Sequence, residues 1–161
     1  MLRPKETAEI ILQQHSKIEL KLDKGFWEIS HGLWEGKFES EIEGSFPGLL
    51  KQWKESPETV QMPEGENLEQ VWGRAIAAWS NLINSVSGTG IVVAHDAINK
   101  AIICQLFDLS PEHFWNFKQG NGAVTVIDYP KGPGGLPVLE SMNITTHLSG
   151  SVLDKTAAGA L

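Results

Sequence analysis

In the stretch IVVAHDAINKAIICQLF, from Ile91 to Phe107, a continuous apolar run gives way to helical spacing, and His95 marks the change. A strand that feeds a helix directs its last residues, and the helix's first free N–H groups, into the crevice at the carboxyl edge of a sheet. That place suits an anion. The terminal amides carry partial positive charge, and an imidazole among them can donate a proton or present a full charge to a phosphoryl group. Position alone leaves a second reading beside this one, in which His95 bonds a neighbouring carbonyl and Asp96 caps the helix. Other chemistries find less support. Gly32 to Lys37 is one residue short of a phosphate-binding loop and is followed by Phe38, so no hydroxyl is placed for magnesium. No Gly-x-Ser-x-Gly elbow occurs, and the histidines at 15, 31, 95, 113 and 147 lack metal-ligand spacing.

The elements that must position His95 can be read from periodicity. Ala8, Ile11 and Leu12 share a face, so the chain opens almost at once into a helix from Glu6 to about Gln14. Ile18 to Leu22 alternates apolar and charged residues as a short edge strand would, and DKGFWEISHGLWEGK then reads as a long Gly- and Trp-rich loop, a kind that usually carries function. Residues 38 to 56 read as one or two short helices broken at Phe46-Pro47-Gly48. Leu68, Val71, Trp72, Ala75, Trp79, Leu82, Ile83 and Val86 form an apolar stripe along one helix that stops at Ser87-Gly88. After the GIVVAH strand and its helix come a helical turn at Ser110-Pro111-Glu112, a strand AVTVIDY, the loop KGPGGLP and a last strand over 138–147. Helices interleaved with strands predict an α/β fold with a largely parallel central sheet.

The 161 residues, 41% of them hydrophobic, suffice for one core, so a single domain over residues 1–148 is expected, with a small-residue tail at 149–161. A net charge of -7 without clustered Lys or Arg argues against nucleic acid and anionic membrane as partners, and any anion site must be positive only locally. The lone Cys104 lies among apolar residues, which permits no disulfide framework and fits a reduced, cytoplasmic setting. MLRPKETAEIIL has no apolar run long enough for a signal peptide or membrane span.

Five motifs recur in the order and spacing of a known family: RPKETAEII, WEISHGLWEGK, PEGENLEQVWGRAIAAW, VVAHDAINKAI and NGAVTVIDY. Together, over residues 3 to 148, they resemble the histidine phosphatase superfamily, which includes cofactor-dependent phosphoglycerate mutases, fructose-bisphosphatases and alpha-ribazole phosphatases. The resemblance implies a three-layer α/β/α sandwich and metal-free, cofactor-free chemistry on a small phosphorylated metabolite. In that chemistry one histidine becomes phosphohistidine, an acid protonates the departing oxygen, and cationic groups hold the phosphoryl oxygens. By motif position, His95 resembles the family's second histidine, catalytic and phosphate-binding at once. Arg3 resembles the second arginine, although two residues from the start it also reads as a solvated charge. Glu28 resembles the acid; in a loop it could also merely cap or pair, and its apolar neighbours Trp27 and Ile29 could raise its pKa toward a useful range. Asn121 is a candidate for the same crevice. Arg74 and Glu66 also match family positions but read comfortably as a structural ion pair.

The family's nucleophile belongs to an Arg-His-Gly tripeptide after the first strand, and that tripeptide is absent from the sequence. Met1 falls within what resembles the approach to the second arginine, so a strand, loop, helix and second strand, on the order of 40 to 50 residues, are expected upstream. A sheet missing its first strand or strands would favour a homodimer or strand-swapped oligomer. His31 in Ser30-His31-Gly32 is the available His-Gly pair, but it lies in the loop of Glu28 rather than behind a buried strand. Two functions follow: the C-terminal part of a small phosphatase, inactive alone, or a non-catalytic phospholigand binder or dimeric module. Asp96 and Ala97, where many relatives carry glycine, and the short loop after Gly36 favour a phosphatase over a mutase.

Overall fold

The computed structural model describes residues 2–15 and 17–149. The chain separates into two compact units, Met1–Trp115 and Asn116–Leu161. The expected tail at 149–161 lies outside the described residues apart from the backbone of Ser149.

The first unit is helical. Helix α1, Leu2–Leu12, begins earlier than its apolar spacing predicts and buries only Ala8. Helices α2, Glu39–Ser45, and α3, Leu49–Glu55, are the two short helices expected, separated at Phe46-Pro47-Gly48. Gly48 adopts φ +79°, which a glycine takes without steric cost as α3 starts. Helix α4, Leu68–Ser85, opens on a reciprocal cap: the Gln70 amide donates to Asn67 Oδ1 at 2.9 Å, and the Asn67 amide donates to Gln70 Oε1 at 3.0 Å. Its first three turns bury Leu68, Val71, Trp72, Ala75 and Ala78, while Leu82 and Ile83 are only half-buried. Helix α5, Asp96–Leu106, packs against α4 and buries Ile98, Ala101, Ile102, Ile103 and Cys104. At about 1.5–3 kcal/mol for each large apolar side chain removed from water, this contact is the main anchor of α5. A 3₁₀ turn, Pro111–Asn116, sets Phe114 and Trp115 edge-on 4.7 Å apart, and Trp53 of α3 lies 5.3 Å from Phe114.

The second unit is a hairpin. Strand β1, Val124–Asp128, pairs antiparallel with β2, Val138–Ile144. Between the pairs Val124–Ile144 and Val126–Ser141 the second strand carries one residue more than the first, a bulge. Asn143 sits there at φ +54° and accepts a hydrogen bond from the Gly120 amide on Oδ1 at 2.7 Å. Helix α6, Thr146–Ser149, follows β2, so the expected last strand stops short of 147.

The chain is thus α/β, but the largely parallel central sheet is not what the described residues form. Their one sheet is this two-stranded antiparallel hairpin. Ile18–Leu22 and Ile91–Ala94 have strand composition without strand pairing among the described residues. A strand is defined by its ladder of hydrogen bonds, and alternation or apolarity in one segment supplies no partner.

Candidate active site

The loop before Glu28 is fixed from behind. The Gly25 amide donates to Asp23 Oδ1 at 2.7 Å, starting the Lys24–Phe26 turn, and a Cβ on Gly25 would come within 2.3 Å of the Ala78 methyl, so the loop lies directly on α4. Arg74, on the same helix, spends all five guanidinium donors. Nε and one Nη2 hydrogen hold the Glu66 carboxylate at 2.7 and 2.8 Å. The others reach the carbonyls of Gly25 at 3.1 Å, Trp27 at 2.6 Å and Glu28 at 3.0 Å. Glu66 in turn accepts from the Ser30 amide at 2.9 Å, and the Glu66 amide donates to the Ser30 carbonyl at 2.8 Å. Burial pushes the Glu66 carboxyl up, but the Arg74 hydrogen bond, the Ser30 amide and the Arg74 charge outweigh it and hold the group below its ordinary 4.5. Arg74 and Glu66 form the ion pair that their positions suggested, and its product is a rigid backbone at Glu28.

Close backbone contact extends this clamp. Gly32 has φ +55°, and a Cβ there would meet the Pro63 carbonyl at 2.1 Å; the Leu33 amide donates to that same carbonyl at 2.9 Å. His31 belongs to this packed corner, edge-on to Trp53 at 6.3 Å. Its glycine neighbour answers a steric need.

From the clamped loop the Glu28 side chain reaches His95. One carboxylate oxygen accepts from the Ile29 amide at 3.1 Å, and the other lies 3.3 Å from His95 Nδ1. The two side chains are 18% and 9% exposed, so a charge on either is poorly screened by water. His95 is the N-cap of α5 in extended conformation, with φ -123° and ψ 166°, and its carbonyl accepts from the Asn99 amide at 2.9 Å. The Asp96 side chain does not cap the helix. It turns back along α5 to Lys100, 2.8 Å away. Burial pushes the Asp96 carboxyl above its ordinary 3.8, assisted by the Glu28 charge, while Lys100 pulls it down.

Of the four residues singled out from sequence, the structure brings Glu28 and His95 together. Arg3 lies on α1 with its side chain exposed, and no ion pair joins it to Glu28 or His95 among the described residues. Asn121 is exposed in the turn before β1, in the second unit. The Asp96–Lys100 pair escaped the sequence reading, although its i, i+4 spacing was the available signal.

A carboxylate beside an imidazole at a helix N-terminus can pass a proton to a leaving oxygen while presenting donors to an anion. A family profile, the histidine phosphatase superfamily (branch 1), matches residues 1–145. The chain belongs to the histidine phosphatase superfamily. Within that superfamily it is 32% identical over 136 residues to a probable 2-carboxy-D-arabinitol-1-phosphatase of Arabidopsis thaliana, covering 84% of this chain and 28% of that protein. It is 30% identical over 122 residues to phosphoserine phosphatase 1 of Hydrogenobacter thermophilus, covering 75% of this chain and 56% of that protein. The chain therefore spans about a quarter to a little over half of the length of these relatives. Among solved structures, Bacillus stearothermophilus YhfR superposes with a TM-score of 0.82 at 26% identity, over 90% of this chain and 71% of that one.

Proposed function

We propose that this histidine phosphatase chain supplies the acid and second-histidine part of a phosphomonoesterase acting on a small phosphorylated metabolite. The observation that carries the proposal is the 3.3 Å approach of Glu28 Oε2 to His95 Nδ1 at the start of α5, with the Glu28 backbone clamped by Arg74. Relatives named for 2-carboxy-D-arabinitol 1-phosphate and for phosphoserine support a small phosphomonoester as substrate.

In this reading a nucleophilic histidine nitrogen attacks phosphorus, the N–P bond forms as the ester P–O bond breaks, and Glu28 gives its proton to the departing alkoxide. Glu28, now a carboxylate, takes a proton from water as that water attacks phosphorus; the N–P bond breaks and inorganic phosphate leaves. His95 and the α5 amides hold the phosphoryl oxygens. Arg3 and Asn121 are assigned to the same oxygens on motif position alone, with residues 1–148 acting as one three-layer α/β domain. The nucleophile is expected in an Arg-His-Gly segment, and that tripeptide does not occur in the 161 residues. The chain alone is therefore proposed to be inactive, and the same absence favours the second reading, a non-catalytic phospholigand binder. Exposed Ile18, Leu22 and Ile91, at 58%, 70% and 63%, support self-association into a dimer or strand-swapped oligomer.

The test is to join an Arg-His-Gly-bearing strand segment from a relative to the N-terminus and assay metal-free hydrolysis of an aryl phosphate. Activity should appear, fall at least about 100-fold in Glu28→Gln and vanish in His95→Ala. Hydrolysis by the 161-residue chain itself, lost in His95→Ala, would overturn the account of the nucleophile. Phosphate binding to the extended chain without turnover would favour the binding module.

A further inference from the structure

Lys100 has 4% of its surface exposed, on the face of α5 that also buries Ala97, Ile103 and Cys104. Its ammonium lies 2.8 Å from Asp96 Oδ2 and 4.6 Å from the ring centres of both Phe114 and Trp115. Packing alone would be better served by an apolar residue, because desolvating an ammonium costs several kcal/mol that a single carboxylate only partly returns. Asp96 gives the cation a purpose. It follows His95 directly, its Oδ1 is buried and has no hydrogen-bond partner among the described residues, and the Glu28 charge acts upon it. Without Lys100, the carboxylate next to His95 in the chain would carry an uncancelled charge at the start of α5.

We propose that Lys100, held between Asp96 and the faces of Phe114 and Trp115, is a positioning residue that cancels the Asp96 charge, so that His95 answers to Glu28 alone and the site accepts a phosphate group. The proposal deepens the functional reading above and rests on it for its purpose, but not for its geometry. Among the described residues, Glu28 from the loop is the carboxylate paired with His95, while Asp96 follows His95 in the chain and is itself paired with Lys100. Arg74 of α4 stands behind Glu28, bonded to its carbonyl and paired with Glu66. The turn over Pro111–Asn116 offers rings to Lys100, while His113 faces Glu112 at 3.6 Å.

The experiment is an NMR titration of the His95 imidazole in the 161-residue chain, its resonance assigned by loss in His95→Gln. In Lys100→Met, which keeps a long side chain between the rings, the uncompensated Asp96 charge should raise the His95 midpoint by more than about half a pH unit. The double variant Asp96→Asn/Lys100→Met should restore the wild-type midpoint. A role in packing alone would disturb the Trp115 signals and leave the midpoint in place. An unmoved midpoint in a folded Lys100→Met, or a double variant that stays shifted, would overturn the proposal. Should Lys100→Met fail to fold, Asp96→Asn carries the test, because the unpaired ammonium must then lower the midpoint. Inorganic phosphate added to the chain extended by an Arg-His-Gly segment reads the functional site separately. If it leaves His95 unperturbed the phosphatase reading fails, while the midpoints still decide the role of Lys100.

Discussion

Replacing Arg74 by lysine keeps the charge and removes the fork. Lysine places three donors on one nitrogen, whereas Arg74 spans a carboxylate and the carbonyls of Gly25, Trp27 and Glu28. If the ammonium keeps Glu66 and one carbonyl, two charge-assisted bonds are lost, each worth about 1.5–3 kcal/mol when buried. Arg74 and Glu66 are 24% and 25% exposed, so water refills part of that loss, and about 2 kcal/mol of destabilisation is expected for Arg74→Lys. Arg74→Ala also strands Glu66 and should cost about 3–4 kcal/mol. With a urea slope of about 1–3 kcal/mol per molar, the lysine variant should unfold roughly 1 M earlier. Hydrogen exchange localises the effect: the Ile29 and Ser30 amides, held by Glu28 and Glu66, should lose about 10- to 30-fold protection, while amides in the middle of α4 change less. A lysine variant with the wild-type urea midpoint and unchanged exchange at Ser30 would refute the clamp.

Glu66 should also write the acid limb of stability. Its carboxyl is held below 4.5 in the folded chain, so its contribution is complete above that pH and is lost as pH falls through the lower folded value; thermal melts of Glu66→Gln should lack that part of the acid slope. Asp96 acts in the opposite sense. Its folded pKa lies above 3.8, so its contribution favours the fold in acid and is lost as pH rises through the folded value, and Asp96→Asn should remove that falling limb. Gly32→Ala combines an unfavourable φ of +55° with a Cβ 2.1 Å from the Pro63 carbonyl, and a loss of more than about 2 kcal/mol in denaturant unfolding is expected. Burial pushes the Cys104 thiol up to about 11, against the pull of Lys100, so an aromatic disulfide reagent should label it slowly in the native chain and promptly in urea.

What the sequence disclosed, and what it withheld, follows from where each signal resides. Helix α4 announces itself twice, in a stripe with the helical period and in the Asn67–Gln70 cap, and both are local. The strands β1 and β2 are nearly as plain, because turn residues bracket two apolar runs, although their antiparallel pairing was not. The segment Ile91–Ala94 shows the limit. Its composition is that of a buried strand, yet pairing depends on residues distant in sequence, and the described residues provide none. Glu28 and His95 were chosen by motif, and their meeting was invisible to spacing because it is made by a third residue, Arg74, through backbone carbonyls that carry no side-chain signature.

The same reasoning locates the sensitivity of the site. Glu28 and His95 sit on a loop and a helix end, where small backbone shifts ordinarily spoil a 3.3 Å contact. The loop is held by groups that cannot relax separately: Gly25 against Ala78, Gly32 against Pro63, and the Arg74–Glu66 fork between them. The helix end is held by the packing of α5 on α4 and by the Lys100 ammonium inside its aromatic walls. Arg74 stands on α4, which also receives α5, so one helix references both halves of the pair. Substitutions along α4 far from Glu28 and His95 should therefore disturb their separation more than substitutions in the exposed residues of α1, a helix that buries only Ala8.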